Sequence, residues 1–249
     1  MILQTSTWQE VENYLTTNTG IIVPIGSTEQ HGPNGLIGTD AICPKAIAYK
    51  ASEQAGMMVA PTINYGMAHQ HLGFAGTVAL RPSTLLAMVR DVVESLALHG
   101  FTHLYFLNGH GGNSATISAA FAEYYASRSF NPSKENTPLV HTKLMNWWFL
   151  PSIGKISQEL YADREGSHAT PSEVSLSYYA HPEAVKSVQM PDELPPSGPI
   201  YDAADFRSRY PDGRMGSDPS LASVEHGERI VNSAAKDVVE NYQRFISET

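Results

Sequence analysis

The chain has 249 residues, 42% hydrophobic and 16% charged, with a formal net charge of −9 at pH 7. That supplies one substantial core and excludes a disordered chain, while the acidic balance argues against nucleic-acid or anionic-membrane partners. Cys43 is the only cysteine, which excludes an intrachain disulfide or a Cys-rich zinc site. The opening MILQTSTWQEVENYL lacks a basic stretch followed by an apolar one, and no run of about 18 apolar residues could cross a bilayer. A soluble, cytoplasmic protein is expected. Trp8, Val11 and Leu15 stand at helical spacing and predict a helix over 7–18. IIVPI at 21–25 reads as a buried strand, with Pro24 pushing it toward a sheet edge or a strand end. Asp40 is placed to cap a helix over 41–55 that stops near Gly56, and MMVAP at 57–61 is a second strand. Residues 83–99 form the clearest amphipathic helix, with Gly100 as terminator. A strand at 103–109, a helix at 114–127 and a strand at 138–144 follow. Another helix begins near Pro171. Residues 182–223, rich in Pro, Gly, Ser and Asp, read as a long loop that is functional, interfacial or mobile. An amphipathic helix over 226–246 closes the chain.

Short apolar strands alternating with helices predict one α/β domain over 1–249, its mostly parallel sheet covered on both faces. Ligands in such folds gather beyond the carboxyl ends of the strands. Glu29 with His31, and Asn108 with His110, fall just past predicted strand ends.

Three clusters carry candidate chemistry. In GSTEQHGPNGLIGTD, Gly26 to Asp40, Glu29 and His31 point the same way from extended backbone, and glycine-rich turns can return Asp40 to the same point. Oxygen and nitrogen donors of this kind suit hard or borderline divalent cations. A polar loop with Asp40 as a helix cap is the plainer reading. In NGHGGN, Asn108 to Asn113, His110 sits on a loop almost without side chains, whose N–H groups could also bind an anion. The third cluster, REGSHATPSEVSLSYY, holds Glu165, His168 and Glu173. Its plain reading is a capping glutamate beside a solvent-facing histidine. His69 and His71 in MAHQHLGFAGT could line a pocket or serve structure, and Trp147 and Trp148 could wall a small substrate or belong to the core.

Together the motifs GSTEQHGP with a following GTDA, HLGFAGTVAL, NGHGGN and HATPSE resemble the creatininase family of metal-dependent amidohydrolases, with a fainter match in GRMGSDPSLASVEHG. The resemblance runs from about residue 20 to residue 230. It implies a three-layer α/β/α sandwich with two divalent metal ions per chain, zinc, manganese or iron, assembled as a homo-oligomer, commonly a hexamer. By motif position Glu29 and His110 would bind one metal, His31 the other, and Asp40 would bridge them. His168 matches the catalytic histidine, and Glu173 the glutamate five residues beyond it.

The sequence departs from the pattern in three places. Creatininases that act on creatinine carry a metal-binding glutamate two residues after the histidine of NGH, where this chain has Gly112. Glu173 could fill that vacancy as a ligand or remain a catalytic base. The family's HAG is HAT here with Pro171 replacing the next glutamate, and Tyr161 to Ser167 contains no tryptophan. These departures argue against creatinine as the substrate. Members lacking that glutamate include formylamide hydrolases and a peptide-trimming protease. The expected reaction is hydrolysis of a small-molecule amide, with metals lowering the pKa of water from 15.7 toward about 7 and His168 delivering a proton to the departing nitrogen. A two-metal phosphoesterase would need a phosphate clamp, for which only Arg164 stands near the clusters. A non-catalytic metal-binding protein is the remaining alternative.

Overall fold

In the computed structural model, which describes residues 1–131, 133 and 137–248, strands β1 (Gly20–Ile25), β2 (Met58–Val59), β3 (His103–Asn108) and β4 (His141–Asn146) form a parallel sheet in the order β2-β1-β3-β4. Helices α1 (Trp8–Leu15), α2 (Thr39–Ala55), α3 (Pro82–Leu98), α4 (Ser114–Ser129), α5 (Ile153–Tyr161), α6 (Pro171–Ala180), α7 (Ala203–Arg209) and α8 (Val224–Glu248) complete the fold. Among the described residues no helix is long and apolar enough to cross a membrane.

Every residue of β1 is buried, as a strand covered on both faces requires. Successive side chains divide between the faces. Ile21, Val23, Leu104 and Phe106 meet Tyr14, Val89, Val93, Ile117 and Phe121 from α1, α3 and α4. Ile22, Tyr105 and Leu107 meet Ile47, Ile230, Val231 and Val238 from α2 and α8, with Leu176 of α6 in the same cluster. The result is the three-layer α/β/α sandwich. Each fully buried Ile, Val or Phe contributes about 1.5–3 kcal/mol, so both cores are needed to hold the sheet.

Pro24 stands one residue from the end of β1, the strand-end placement the sequence left open, and one other expectation changes in detail. β1 lies inside the sheet, yet Pro24 is tolerated because its missing N–H faces the β2 side, where β2 has already ended at Val59. On that side the Pro24 carbonyl accepts the Ile63 N–H at 3.0 Å. The ladder of β4 begins three residues later than the pattern suggests, at His141, whose N–H reaches the Thr102 carbonyl at 2.8 Å.

Asp40 does not cap α2. The helix starts at Thr39 after Gly38, and Asp40 stands in its first turn with its carboxylate turned toward histidines. What places it there is a close approach of backbones. A Cβ on Gly26, just past β1, would lie 2.1 Å from the Asp40 carbonyl oxygen, and one on Gly109, just past β3, would lie 2.0 Å from it. Pro44, one turn on, has no N–H to give that carbonyl, so it is free to meet the strand ends. Replacing Gly109 by alanine must push α2 away, and overpacking of this kind costs about 1–3 kcal/mol. Urea unfolding should show Gly109→Ala destabilised within that range. Gly111→Ala, where an added Cβ meets nothing within 4 Å, should stay within about 0.5 kcal/mol of the parent. Equal stability of the two variants would refute the account.

Candidate metal centre

Glu29, Gln30 and His31 follow β1, and Asp40 opens α2. His71 ends a single 3-10 turn, His69–His71, His110 follows β3, and His168 and Glu173 flank the start of α6. All converge beyond the carboxyl ends of the strands, where a parallel sheet leaves its loops room for a ligand. The chain therefore brings together Glu29, His31, Asp40, His110, His168 and Glu173 from segments up to 144 positions apart in sequence (Glu29 to Glu173).

The two central histidines are oriented alike. His31 donates Nδ1–H to the Glu29 carbonyl at 3.1 Å, leaving Nε2 at 2.9 Å from Asp40 Oδ1 and 3.9 Å from Glu173 Oε2. His110 donates Nε2–H to the Met67 carbonyl at 3.0 Å, leaving Nδ1 at 2.9 Å from Asp40 Oδ2 and 3.3 Å from Glu29 Oε2. In each ring one nitrogen is fixed by backbone and the other faces carboxylates, the arrangement by which outer contacts orient metal-binding imidazoles. Asp40 gives one oxygen to each. Two triads thus share it: Glu29, Asp40 and His110, and His31, Asp40 and Glu173. Glu29, His31 and His168 form a third such group.

Both Glu29 oxygens and Asp40 Oδ2 are buried without a hydrogen bond, although ring nitrogens lie 2.9–3.3 Å away. Unaligned contacts at that spacing fit ligands around a shared ion. Bonds of ~2.1 Å in tetrahedral geometry put neighbouring ligands about 3.4 Å apart. Oxygen and nitrogen donors without sulfur admit zinc, manganese or iron.

The cluster's protonation follows from the same contacts. Burial raises Glu29 to about 8, against the pull of His110, and raises Glu173 as well. Burial disfavours charge on His31 too, but Asp40, Glu173 and Glu29 outweigh it and lift the ring to about 10. Glu29 and Asp40 lift His110 to about 9 against burial in the same way. Those two rings hold Asp40 well below the usual carboxylate range. His71 falls to about 3, and His168 falls well below its ordinary value, both from burial and then from neighbouring histidines.

Loops fix this geometry. Asn113 accepts the Met67 N–H at 2.9 Å and donates to the Gly26 carbonyl at 2.9 Å, while Asn108 donates to the His110 carbonyl at 2.6 Å. Glu173 is indeed a capping glutamate, its Oε1 accepting the Thr170 N–H at 2.6 Å, but its other oxygen faces His31. Between His168 and Thr170 the chain turns through Ala169 at φ 55°, a left-handed conformation costly for a residue with a Cβ. A cavity of about 480 Å³ opens over the cluster, walled by Trp147 and Trp148 as the sequence allowed. Arg164 pairs with Asp218 at 2.6 Å and offers no phosphate clamp.

Several contributors were not legible in the sequence. The H-x-H pair splits, with His69 exposed and His71 buried at 3.1 Å from Glu29 Oε1. Gln30 contacts His71 and His168, and no local pattern marks it. The 182–223 segment is no idle loop. α7 brings Phe206 against His71, ring centroids 4.5 Å apart, and Gly213 accepts a hydrogen bond from Gln30.

Histidine binds a cation only when neutral, so filling this centre at pH 7 expels protons from His31 and His110, both protonated below about 9. Titration calorimetry in two buffers of different ionisation enthalpy should show about two protons or more released on saturation with zinc, with affinity rising from pH 6 to pH 9. Proton-neutral binding would contradict the assignment.

The family model described as Creatininase: Creatinine amidohydrolase matches residues 4–242. A creatinine amidohydrolase of Pseudomonas putida is 26% identical over 245 residues, 94% of this chain and 93% of that protein. A mycofactocin precursor peptide peptidase of Mycolicibacterium smegmatis is 38% identical over 108 residues, 41% of this chain and 43% of that protein. A solved structure named Creatininase Mn superposes with a TM-score of 0.84 at 25% identity, covering 98% of this chain and 97% of that one.

Proposed function

The chain belongs to the creatininase family of amidohydrolases, and on that premise we propose that it cleaves a carbon–nitrogen amide bond in a small molecule, cyclic or linear, using two divalent ions. One ion would be held by Glu29, Asp40 and His110, the other by His31, Asp40 and Glu173. The observation that carries this reading is Asp40, whose two oxygens each lie 2.9 Å from a different backbone-anchored histidine. When bound, the ions supply Lewis-acid polarisation of the carbonyl and a water whose pKa falls toward about 7.

The chain's own groups then have defined work. His168 Nδ1 faces the cluster at 3.9 Å from Glu29 Oε1, and burial beside neighbouring histidines keeps the ring neutral, so that nitrogen can hold a lone pair toward the cluster. A proton accepted there from the attacking water can pass to the departing nitrogen, and the ring's low basicity makes the protonated form a strong acid for that step. Glu173 serves as a ligand rather than a base. Its Oε1 is committed to the Thr170 N–H, so only the oxygen toward His31 is free. Trp147 and Trp148 limit how the substrate lies in the cavity.

Gly112 argues for a substrate other than creatinine. A Cβ there would lie 2.5 Å from His110 Nε2 and 2.7 Å from the Met67 carbonyl oxygen. The space a ligand side chain would leave through is occupied by the contact that orients His110. Similarity to a peptide peptidase over part of the chain supports a linear amide.

The direct test is a screen of the metal-reconstituted protein against formamides, lactams, short peptides and creatinine, with phosphoesters as controls. We expect about two ions per chain, turnover of an amide other than creatinine, and loss of that turnover with chelator. His168→Ala should keep its metal and lose at least 100-fold in kcat. Metal lost in step with activity would make His168 a ligand, and full activity in chelator would refute the mechanism. Gly112→Glu is expected to lose metal affinity and gain no creatinine hydrolysis. A gain of creatinine turnover would show that the site tolerates the family's ligand after all.

A further inference from the structure

We propose that Gln30 is a positioning residue that holds both His71 and His168 with the ring proton on Nε2, so that His168 presents a bare Nδ1 to the carboxylate cluster. The orientation of the Gln30 amide is not free. Its oxygen accepts the Gly32 N–H at 2.8 Å and its nitrogen donates to the Gly213 carbonyl at 3.0 Å, so turning the amide over would break both bonds. The nitrogen also lies 3.0 Å from His71 Nδ1 and 2.8 Å from His168 Nε2, three neighbours for two hydrogens.

The competition is settled by the backbone carbonyl of Gln30, which lies 2.9 Å from His168 Nε2. A carbonyl oxygen only accepts, so His168 Nε2 carries the proton and donates it there. The second Gln30 hydrogen then goes to His71 Nδ1, which must be bare, and His71 keeps its proton on Nε2. That N–H stands 3.1 Å from Glu29 Oε1. His71 therefore turns Nε2 toward that oxygen of Glu29 through an unaligned contact, while Glu29 Oε2 remains toward His110 and Asp40. This assignment leaves two donors, Gln30 Nε2 and His168 Nε2, 2.8 Å apart, whereas giving a Gln30 hydrogen to His168 leaves either His71 Nδ1 or the Gly213 carbonyl without a partner and also sets the His168 Nε2 lone pair against the Gln30 carbonyl oxygen. Stacking of the two rings, with centroids 4.4 Å apart, and Phe206 against His71 keep either ring from rotating away.

The inference rests on the proton-carrying role proposed for His168, but its test reads the ring nitrogens themselves. Long-range 1H–15N correlation spectra of 15N-histidine-labelled, metal-free protein at pH 7, assigned with His71→Gln and His168→Ala, should show both rings protonated at Nε2 and bare at Nδ1. In Gln30→Met, similar in size but without a donor, His71 should become a mixture of tautomers and His168 should shift. Once reloaded with zinc, that variant should bind the same amount of metal and lose at least tenfold in kcat, with KM within about twofold. A proton on His168 Nδ1 in the parent protein, or tautomers unchanged in Gln30→Met, would overturn the proposal, and the parent spectrum decides even if the variant fails to fold. Both Nε2 protons in place with no amide turned over would instead count against the hydrolase reading and leave the role of Gln30 standing.

Discussion

One carboxylate, that of Asp40, is shared between His31 and His110, and the surrounding architecture is arranged to make that sharing possible. The histidines come from two different strand ends, so the carboxylate must enter between them from a third element. The first turn of α2 does this only because the backbones of Gly26 and Gly109 touch the Asp40 carbonyl at distances no side chain would allow. Sheet order matters equally. β1 and β3 are adjacent, so the loops carrying Glu29, His31 and His110 leave the sheet side by side.

The cost of this arrangement is several carboxylates and imidazoles buried together. Burial alone would neutralise the acids, as it does in raising Glu29 and Glu173, and the histidines answer it by staying charged where they face carboxylates. Divalent ions of the kind proposed would answer the same imbalance more completely, matching both the charge and the unaligned spacing of the donors. Features that look like defects in a folding sense stand at this centre, among them the orphaned oxygens of Glu29 and Asp40 and left-handed Ala169 beside His168.

Several residues serve structure and chemistry at once. Glu173 caps α6 with one oxygen and faces His31 with the other, so helix formation and the placement of this carboxylate cannot be separated. Thr170, the departure from the family's HAG, is the residue that makes the reciprocal cap with Glu173. Gly112 likewise is more than a missing ligand. The loop has closed on that position through the His110–Met67 contact, which ties the identity of residue 112 to the orientation of the His110 ring.

The sequence by itself determined the alternation of strands and helices, the buried character of β1 and the residue types at the centre. Apolar periodicity and the Glu, His and Asp motifs are local properties, readable along the chain, and family resemblance added the pairing of Asp40 with both sites. Its ambiguities were also local. Asp40 read as a helix cap, Pro24 left a sheet edge and a strand end both open, and His69 and His71 could not be told apart, because each judgement depends on what lies opposite in space. Only the tertiary structure decided that Gln30 stands between His71 and His168, and that α7 and Gly213 close on them from the 182–223 segment. Those contacts join residues as far as 183 positions apart, and the partners of a hydrogen bond are set by where the chain folds back, not by its neighbours in sequence.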